Sequence, residues 1–375
     1  MRGNYAGKAR LKNKSIRGGL RVAGGPRRIV ELGSNSLAFC ASILRMRASM
    51  KLVVLLALLF LGANAHGAPK SLPSAPAARP PGTVYLRDWA ERKGFQVSID
   101  QKEMSVGLTN RWANLALSND SRRAFINGVS VWLSYPVRVH QGRLLIDEKD
   151  LSNLIEPILF PKRSPRDRRV TVVALDAGHG GKDPGNMHGS RQEKHYTLLL
   201  AKEVRELLED AGLKTFMVRK ADVYVERSDR AEFSEKAKAD LFVSLHYNTA
   251  ADPNARGVET YCVTPFGAEA TNGGGVSLRS FPGNRYDSQS ALLAYEVQRS
   301  MVRSLDLPDR GVRRAGFEVL RRAPMPSILI EGGFMSNPQD ARKVYDEDHR
   351  KEMARAIVDG ILAYKRTMER TNARN

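Results

Sequence analysis

The stretch TVVALDAGHGGKDPGNMHGSRQE, Thr171 to Glu193, decides how this chain is read. Val172 to Leu175 is an unbroken apolar run, and it breaks into Asp176, Gly178, His179, Gly180 and Gly181. A buried strand that runs out into a glycine-rich loop belongs at the C-terminal edge of an α/β sheet, where such sheets carry their chemistry. Two later apolar runs end in the same way, LFVSLH on His246 and SILIE on Glu331. Strands that deliver His, His and Glu to one edge form the skeleton of a metal site.

Outward from this stretch, strand and helix patterns alternate. Leu200, Val204, Leu207 and Leu208 mark a helix stripe that stops at Gly212, and Thr215 to Val218 reads as a strand. Ser228 is placed to cap a helix through Lys238. Leu241 to Leu245 and Val258 to Val263 read as strands, and Leu293, Val297, Met301 and Leu305 as a second long stripe. Phe317 to Leu320 and Ser327 to Ile330 complete six strands, and Met353, Ile357, Ile361 and Tyr364 place a closing helix. The pattern predicts an α/β domain over residues 170–367, built on a twisted, mostly parallel or mixed six-stranded sheet flanked by helices. A polar tail, 368–375, follows.

Residues 83–161 predict a small α+β module. Val84 to Lys93 forms an amphipathic helix stopped by Gly94, and Phe95, Val97 and Ile99 alternate as a strand. Asn127-Gly128 between apolar runs is a hairpin signal, Gln141-Gly142 marks another turn, and Asp147 or Asp150 caps a short helix through Ile158. No candidate catalytic group falls in the module. An Ala/Pro-rich linker, 66–82, precedes it, and a basic linker, 162–169, follows it.

Met50 to Ala65, MKLVVLLALLFLGANA, has a lysine, an apolar run of about ten residues and a small-x-small ending. The run is too short to span a bilayer, so the segment reads as a signal peptide cleaved after Ala65, leaving no integral membrane segment. Residues 1–49 are then a basic leader, or an artefact of a start placed upstream of Met46 or Met50. The protein is expected to be exported, to a periplasm, cell wall or extracellular space. Of the chain's two cysteines, Cys40 and Cys262, only Cys262 would remain in the mature protein, so no internal disulfide is expected. Its surroundings, VETYCV, predict a buried strand residue.

The formal charge of +20 suggests an anionic polymer as partner. Residues 1–65 hold 12 basic residues and one acid, so the remainder carries only +9. With no nucleic-acid motif and no interleaved aromatics, nucleic acid is excluded as the expected partner.

Spacing alone leaves roles open. Glu193 at a helix start also suits the helix dipole, and Glu331 after an apolar strand also suits an ion pair. Asp176 could orient His179 or cap the loop, and Asn248 could meet substrate or serve a turn. His188, His195 and His349 read as structural or solvent-facing.

The motifs LDAGHGGKDPG, Glu193-Lys194, SLHYN, RGVETY and DRGVRRAGFEVL…MPSILIEGGFMSNPQD, in this order, resemble the zinc-dependent N-acetylmuramoyl-L-alanine amidases. The resemblance covers Val170 to Tyr364. It implies one zinc per chain held by His179, Glu193 and His246, with Glu331 as the catalytic glutamate. It also implies peptidoglycan as substrate, cut between N-acetylmuramic acid and L-alanine in wall remodelling and daughter-cell separation. A zinc polarises a carbonyl and acidifies water, and a nearby carboxylate can carry the proton to the departing amine. The alternatives are a zinc peptidase acting on the stem peptide, or a non-catalytic wall-binding protein. The module loosely resembles copper-amine-oxidase N-terminal-like modules, which implies wall or substrate positioning and no copper. Some family members carry an inhibitory helix where this chain has only the Gly-rich loop Thr264 to Ser288, so autoinhibition by such a helix is not expected.

Overall fold

The computed structural model describes residues 79–162 and 169–372, so the leader, the signal peptide and most of both linkers lie outside the described residues. Among the described residues, eight strands precede residue 162: β1 Thr83–Tyr85, β2 Gln96–Asp100, β3 Ser105–Thr109, β4 Asn114–Ser118, β5 Arg123–Ile126, β6 Val129–Trp132, β7 Arg138–His140 and β8 Arg143–Asp147. Helix α1, Leu86–Arg92, buries Leu86, Trp89 and Ala90. The Asn127-Gly128 turn is a tight hairpin with both residues at positive φ, 49° and 80°, and Ile126 pairs with Val129 across it. Gln141-Gly142 repeats that geometry between β7 and β8. The Asp147 carboxylate accepts from the Lys149 N–H and starts a helical run that ends at Leu159.

The second part has β9 Val172–Ala177, β10 Met187–His188, β11 Arg191–Gln192, β12 Lys214–Met217, β13 Leu241–Asn248, β14 Val258–Val263, β15 Asp309–Ala315 and β16 Ser327–Phe334. Its helices are α2 Glu193–Asp210, α3 Arg227–Lys236, α4 Asp287–Ser304, α5 Glu318–Arg322, α6 Pro338–Tyr345 and α7 Glu347–Asn372. Six strands lie in the order β12-β9-β13-β16-β14-β15, with β14 antiparallel to β16 and the other neighbours parallel. The mixed six-stranded α/β sheet expected from the sequence is therefore present.

Two elements differ from expectation. Phe317 to Leu320 is not a strand: Phe317 precedes helix α5, and the sixth strand is Asp309–Ala315, DRGVRRA. Its charged residues hide a β pattern. Ser228 is also not a cap; helix α3 starts at Arg227 after Glu226, and the Ser228 hydroxyl bonds the Asp229 carboxylate.

The sheet does not stop at β15. Val312 pairs in parallel with Val131 of β6, and the meander β6-β5-β4-β3-β2 extends the sheet to eleven strands. The apolar core is continuous too: Leu133 and Ile126 belong to the same buried cluster as Val312, Leu293 and Ile357. Polar contacts reinforce the seam. The Asp309 carboxylate accepts from the Ser130 N–H at 2.7 Å, and the Tyr295 hydroxyl donates to the Ile126 carbonyl at 3.1 Å. On one face α2, α4 and α7 cover the sheet, and α4 and α7 meet so closely that a Cβ at Gly360 would lie 2.5 Å from the Val297 Cα. The opposite face carries a smaller cluster around Phe242, Tyr261, Leu320 and Leu329. Cys262 is fully buried in β14, and burial raises its thiol pKa. No helix among the described residues is long and apolar enough to cross a membrane.

Candidate metal centre

β9 ends at Ala177, and the Gly178 N–H donates to the Leu245 carbonyl, tying the loop to the end of β13. His179 follows with φ 61°, a left-handed conformation costly for a residue with a Cβ. Its Nδ1 lies 2.9 Å from Asp183 Oδ2, and the other Asp183 oxygen accepts the Gly185 N–H. The ring is thereby turned so that Nε2 faces Glu193 Oε2 at 3.1 Å. Burial opposes charge on this imidazole, but Glu193 and Asp183 prevail and raise its pKa above the ordinary value.

Glu193 is the first residue of α2, and its side chain is 1% exposed. Oε2 accepts the Asn186 N–H, while Oε1 accepts the Tyr247 N–H and lies 2.9 Å from His246 Nδ1. Burial opposes ionisation here as well, yet the two histidines hold the carboxyl far below the usual carboxylate range. One ligand atom each from His179, Glu193 and His246 lies within 4.8 Å of the others.

The backbone is cut away to make room for this group. A Cβ at Gly178 would sit 2.3 Å from His246 Cε1, and one at Gly185 would sit 2.6 Å from both Glu193 Oε2 and His179 Cδ2. Two imidazoles and one buried carboxylate, with His179 oriented by Asp183 and Glu193 by the Asn186 and Tyr247 N–H groups, suit a catalytic zinc. The residues present therefore fit the metal.

Glu331, in β16, stands opposite His246 of β13 on one side and Glu259 of β14 on the other. The residue is partly exposed, but its Oε2 is buried with no hydrogen-bond partner. Burial, then the charges of Glu193 and Glu259, push its pKa well above the usual carboxylate range. A dication held by the three neighbouring ligands would oppose all three effects.

Residues 173–363, half of the chain, match the Amidase_3 family, described as N-acetylmuramoyl-L-alanine amidase. The chain belongs to this family. Among similar proteins, the N-acetylmuramoyl-L-alanine amidase AmiC of Neisseria meningitidis serogroup B is 34% identical over 244 residues, covering 59% of this chain and 58% of the relative. A protein named "Probable cell wall amidase LytH" from Staphylococcus saprophyticus is 30% identical, covering 75% of this chain and 84% of its own length. Among solved structures, the catalytic domain of the amidase CwlV from Bacillus (Paenibacillus) polymyxa var. colistinus is 31% identical, with a TM-score of 0.44. That alignment covers 52% of this chain and 97% of the CwlV domain.

Around this amidase-family site lies a set of buried supports that sequence motifs did not reveal. Arg230, 3% exposed, donates to Asp176 Oδ1 at 2.7 Å and to the His179 carbonyl at 2.9 Å. Asp176 also accepts from the Ser244 hydroxyl, so it holds the His179 loop through Arg230 and does not orient the ring; Asp183 does. Arg219 donates to the carbonyls of Ala177, Gly178 and Lys194, and burial, aided by Arg230, lowers its pKa to about 10. The Lys194 ammonium pins the loop through the Gly181 carbonyl and Asp222. Arg219 and Arg230 sit outside any motif; only the acceptors they reach give them a role.

The Asn248 amide donates to Glu259 Oε1 at 2.7 Å and its own oxygen accepts the Thr249 N–H. His188 lies 3.2 Å from the Tyr345 hydroxyl, and the His195 ring packs edge-on against Tyr196; neither belongs to the ligand group, nor does His349. The loop after β14 carries no α-helix before α4, only the 3-10 turn Pro282–Tyr286.

Proposed function

We propose that this chain is an exported zinc hydrolase that cleaves the amide between N-acetylmuramic acid and L-alanine of the peptidoglycan stem peptide. The observation that carries the reading is Glu331, with a buried, unpartnered oxygen, directly opposite His246 of the His179–Glu193–His246 group. The match to the amidase family supports the bond assignment. The apolar segment ending at Ala65, outside the described residues, supports export.

Zinc in this ligand group would supply Lewis acidity toward the scissile carbonyl and toward water. Asp183 holds the Nδ1 proton of His179, so that Nε2 presents a lone pair to the metal. Glu193 divides its two oxygens between the histidines, and the Asn186 and Tyr247 N–H groups fix its orientation. Glu331, whose Oε2 has no hydrogen-bond partner and whose raised pKa a bound dication would lower, takes a proton from the attacking water and delivers it to the α-amine of the departing L-alanine. The water-to-amine transfer balances the hydrolysis without any other acid or base.

Mass spectrometry of purified sacculi digested with the protein tests this. The expected products are peptides with a free L-alanine N-terminus and glycan stripped of peptide. Cleavage within the stem, with L-alanine still attached to muramic acid, would instead make the protein a peptidase. No cleavage by zinc-loaded protein would leave a wall-binding role.

A further inference from the structure

The cluster that the mechanism above does not use lies beside Glu331, across two strands of the sheet. Glu259 is 1% exposed and opposite Glu331, so the two carboxyls share one face. One Glu259 oxygen accepts from Arg310 Nε at 2.9 Å and from Arg313 Nη1 at 3.1 Å. The other is taken by Asn248 Nδ2 at 2.7 Å and the Tyr261 hydroxyl at 2.9 Å. A single carboxylate, saturated with donors, thus sits between two guanidinium groups.

Donor capacity remains on both arginines, because Glu259 takes only Nε of Arg310 and Nη1 of Arg313. Arg313 Nε is buried with no hydrogen-bond partner, while the side chains of Arg313 and Arg310 keep 14% and 31% of their surface exposed. Register places Arg313 on the reactive face: it pairs with Tyr261, which is two residues along from Glu259. Trp132 of β6 completes the wall. Val131 pairs with Val312, so Trp132 stands beside Arg313; its ring lies 4.6 Å from the Arg313 guanidinium, and its Nε1 donates to the Arg310 carbonyl at 2.8 Å.

We propose that Arg313 and Arg310 form a carboxylate-binding subsite for the stem peptide, and that Trp132, from outside the amidase-family match, holds Arg313 in place. This rests on the reading of the site as a muramoyl-alanine amidase. The reach is right: β15 lies two strands from β16, about 10 Å at the usual strand spacing, and Arg313 is level with Leu329, about 7 Å along the strands from Glu331, so the direct separation is about 12 Å. Two extended peptide residues span about 7 Å, and an arginine side chain covers the rest. With the scissile carbonyl at Glu331, the carboxylate of the second stem residue falls beside the guanidinium pair. A planar fork suits a carboxylate better than a carboxamide, because the charge-assisted bonds are about twice as strong.

The test compares N-acetylmuramoyl-L-alanyl-D-glutamate with its α-carboxamide, as ligands of the zinc-loaded full chain carrying Glu331→Gln to suppress turnover. Calorimetry should show the acid binding about tenfold tighter or more, as expected for charged hydrogen bonds. Arg313→Gln should abolish the preference, Arg313→Lys should keep part of it, and Trp132→Ala should weaken it at unchanged zinc content. If Arg313→Gln fails to fold, Arg310→Gln, at a more exposed position, should still reduce the preference. Equal binding of both ligands, no binding of either, or an undiminished preference in folded arginine variants would overturn the subsite. The sacculus digest reports bond cleavage independently, so loss of the subsite and loss of the amidase reading give different results.

Discussion

His246 and Glu331 face each other across adjacent parallel strands, and Glu193 reaches His246 from the first turn of a helix 53 residues earlier. The side chains of His246 and Glu331 are thus fixed by backbone pairing, not by loops. Such rigidity suits catalysis, because neither side chain needs to be ordered when substrate arrives.

Glu331→Gln keeps the shape of the side chain but cannot accept a proton. The variant should fold, retain zinc and release stem peptide at least about 100-fold more slowly, the lower end of general-base contributions. Metal content, melting temperature and turnover on one preparation decide it. Near-normal turnover with full zinc would remove Glu331 from the mechanism, and loss of zinc would make it a ligand.

His246→Ala should lose most of about one zinc equivalent measured by elemental analysis, since only two of the three donors remain. Full zinc in this variant would refute the ligand set.

Asp183 lies 2.9 Å from Nδ1 of His179, on the side of the ring away from Glu193. Asp183→Ala should weaken zinc affinity by about 10–100-fold, with the chain still folded, as found when carboxylates behind ligating histidines are removed. A competition titration with a zinc chelator reads the shift, and unchanged affinity would leave Asp183 with a purely local loop role.

Asp150 offers a pH signature away from the site. Its buried carboxyl is pushed up to about 6 by desolvation, although the Ser134 and Tyr135 N–H groups, both bonded to it, pull the other way. Between about pH 4 and 6 the native state therefore holds a proton that the unfolded chain releases, and this group's contribution to stability falls as pH rises. Asp150→Asn mimics the protonated form. Relative to the parent, its stability should rise by up to about 3 kcal/mol across that window and stay level above it. Urea unfolding at several pH values measures the difference, and a flat difference would contradict the raised pKa.

Removing residues 1–168 would uncover the β15 edge, the Asp309 carboxylate and part of the shared core. A 169–375 fragment should be markedly less stable than the full chain, or insoluble, because a bare edge strand beside exposed apolar surface invites association. Equal melting temperatures would show that the two parts are energetically independent.

The sequence by itself determined the apolar runs that become β9, β13 and β16. His179, His246 and Glu331 stood out at the ends of apolar runs, because a buried parallel strand is a short apolar run and its end is punctuated by glycine or a polar residue, whereas Glu193, at a helix start, stood out only through the resemblance of the motifs. The helix stripes at Leu200 and Leu293 were legible for the same local reason. Strand β15 was not, since Arg310, Arg313 and Arg314 interrupt its apolar pattern and are satisfied only by Glu259 and by the carbonyls of Val263 and Asn153. The apolar residues Phe317, Val319 and Leu320 suggested a strand, but Glu318 to Arg322 closes into a short helix instead. Likewise Asp183, not Asp176, orients His179, a choice made by the turn at Gly180 and Gly185. Tertiary structure alone decided that the β-meander continues the same sheet and sets Trp132 beside Arg313. Pairing between strands some 180 residues apart leaves no mark on local periodicity, because the groups that specify it are neighbours only after the chain has folded.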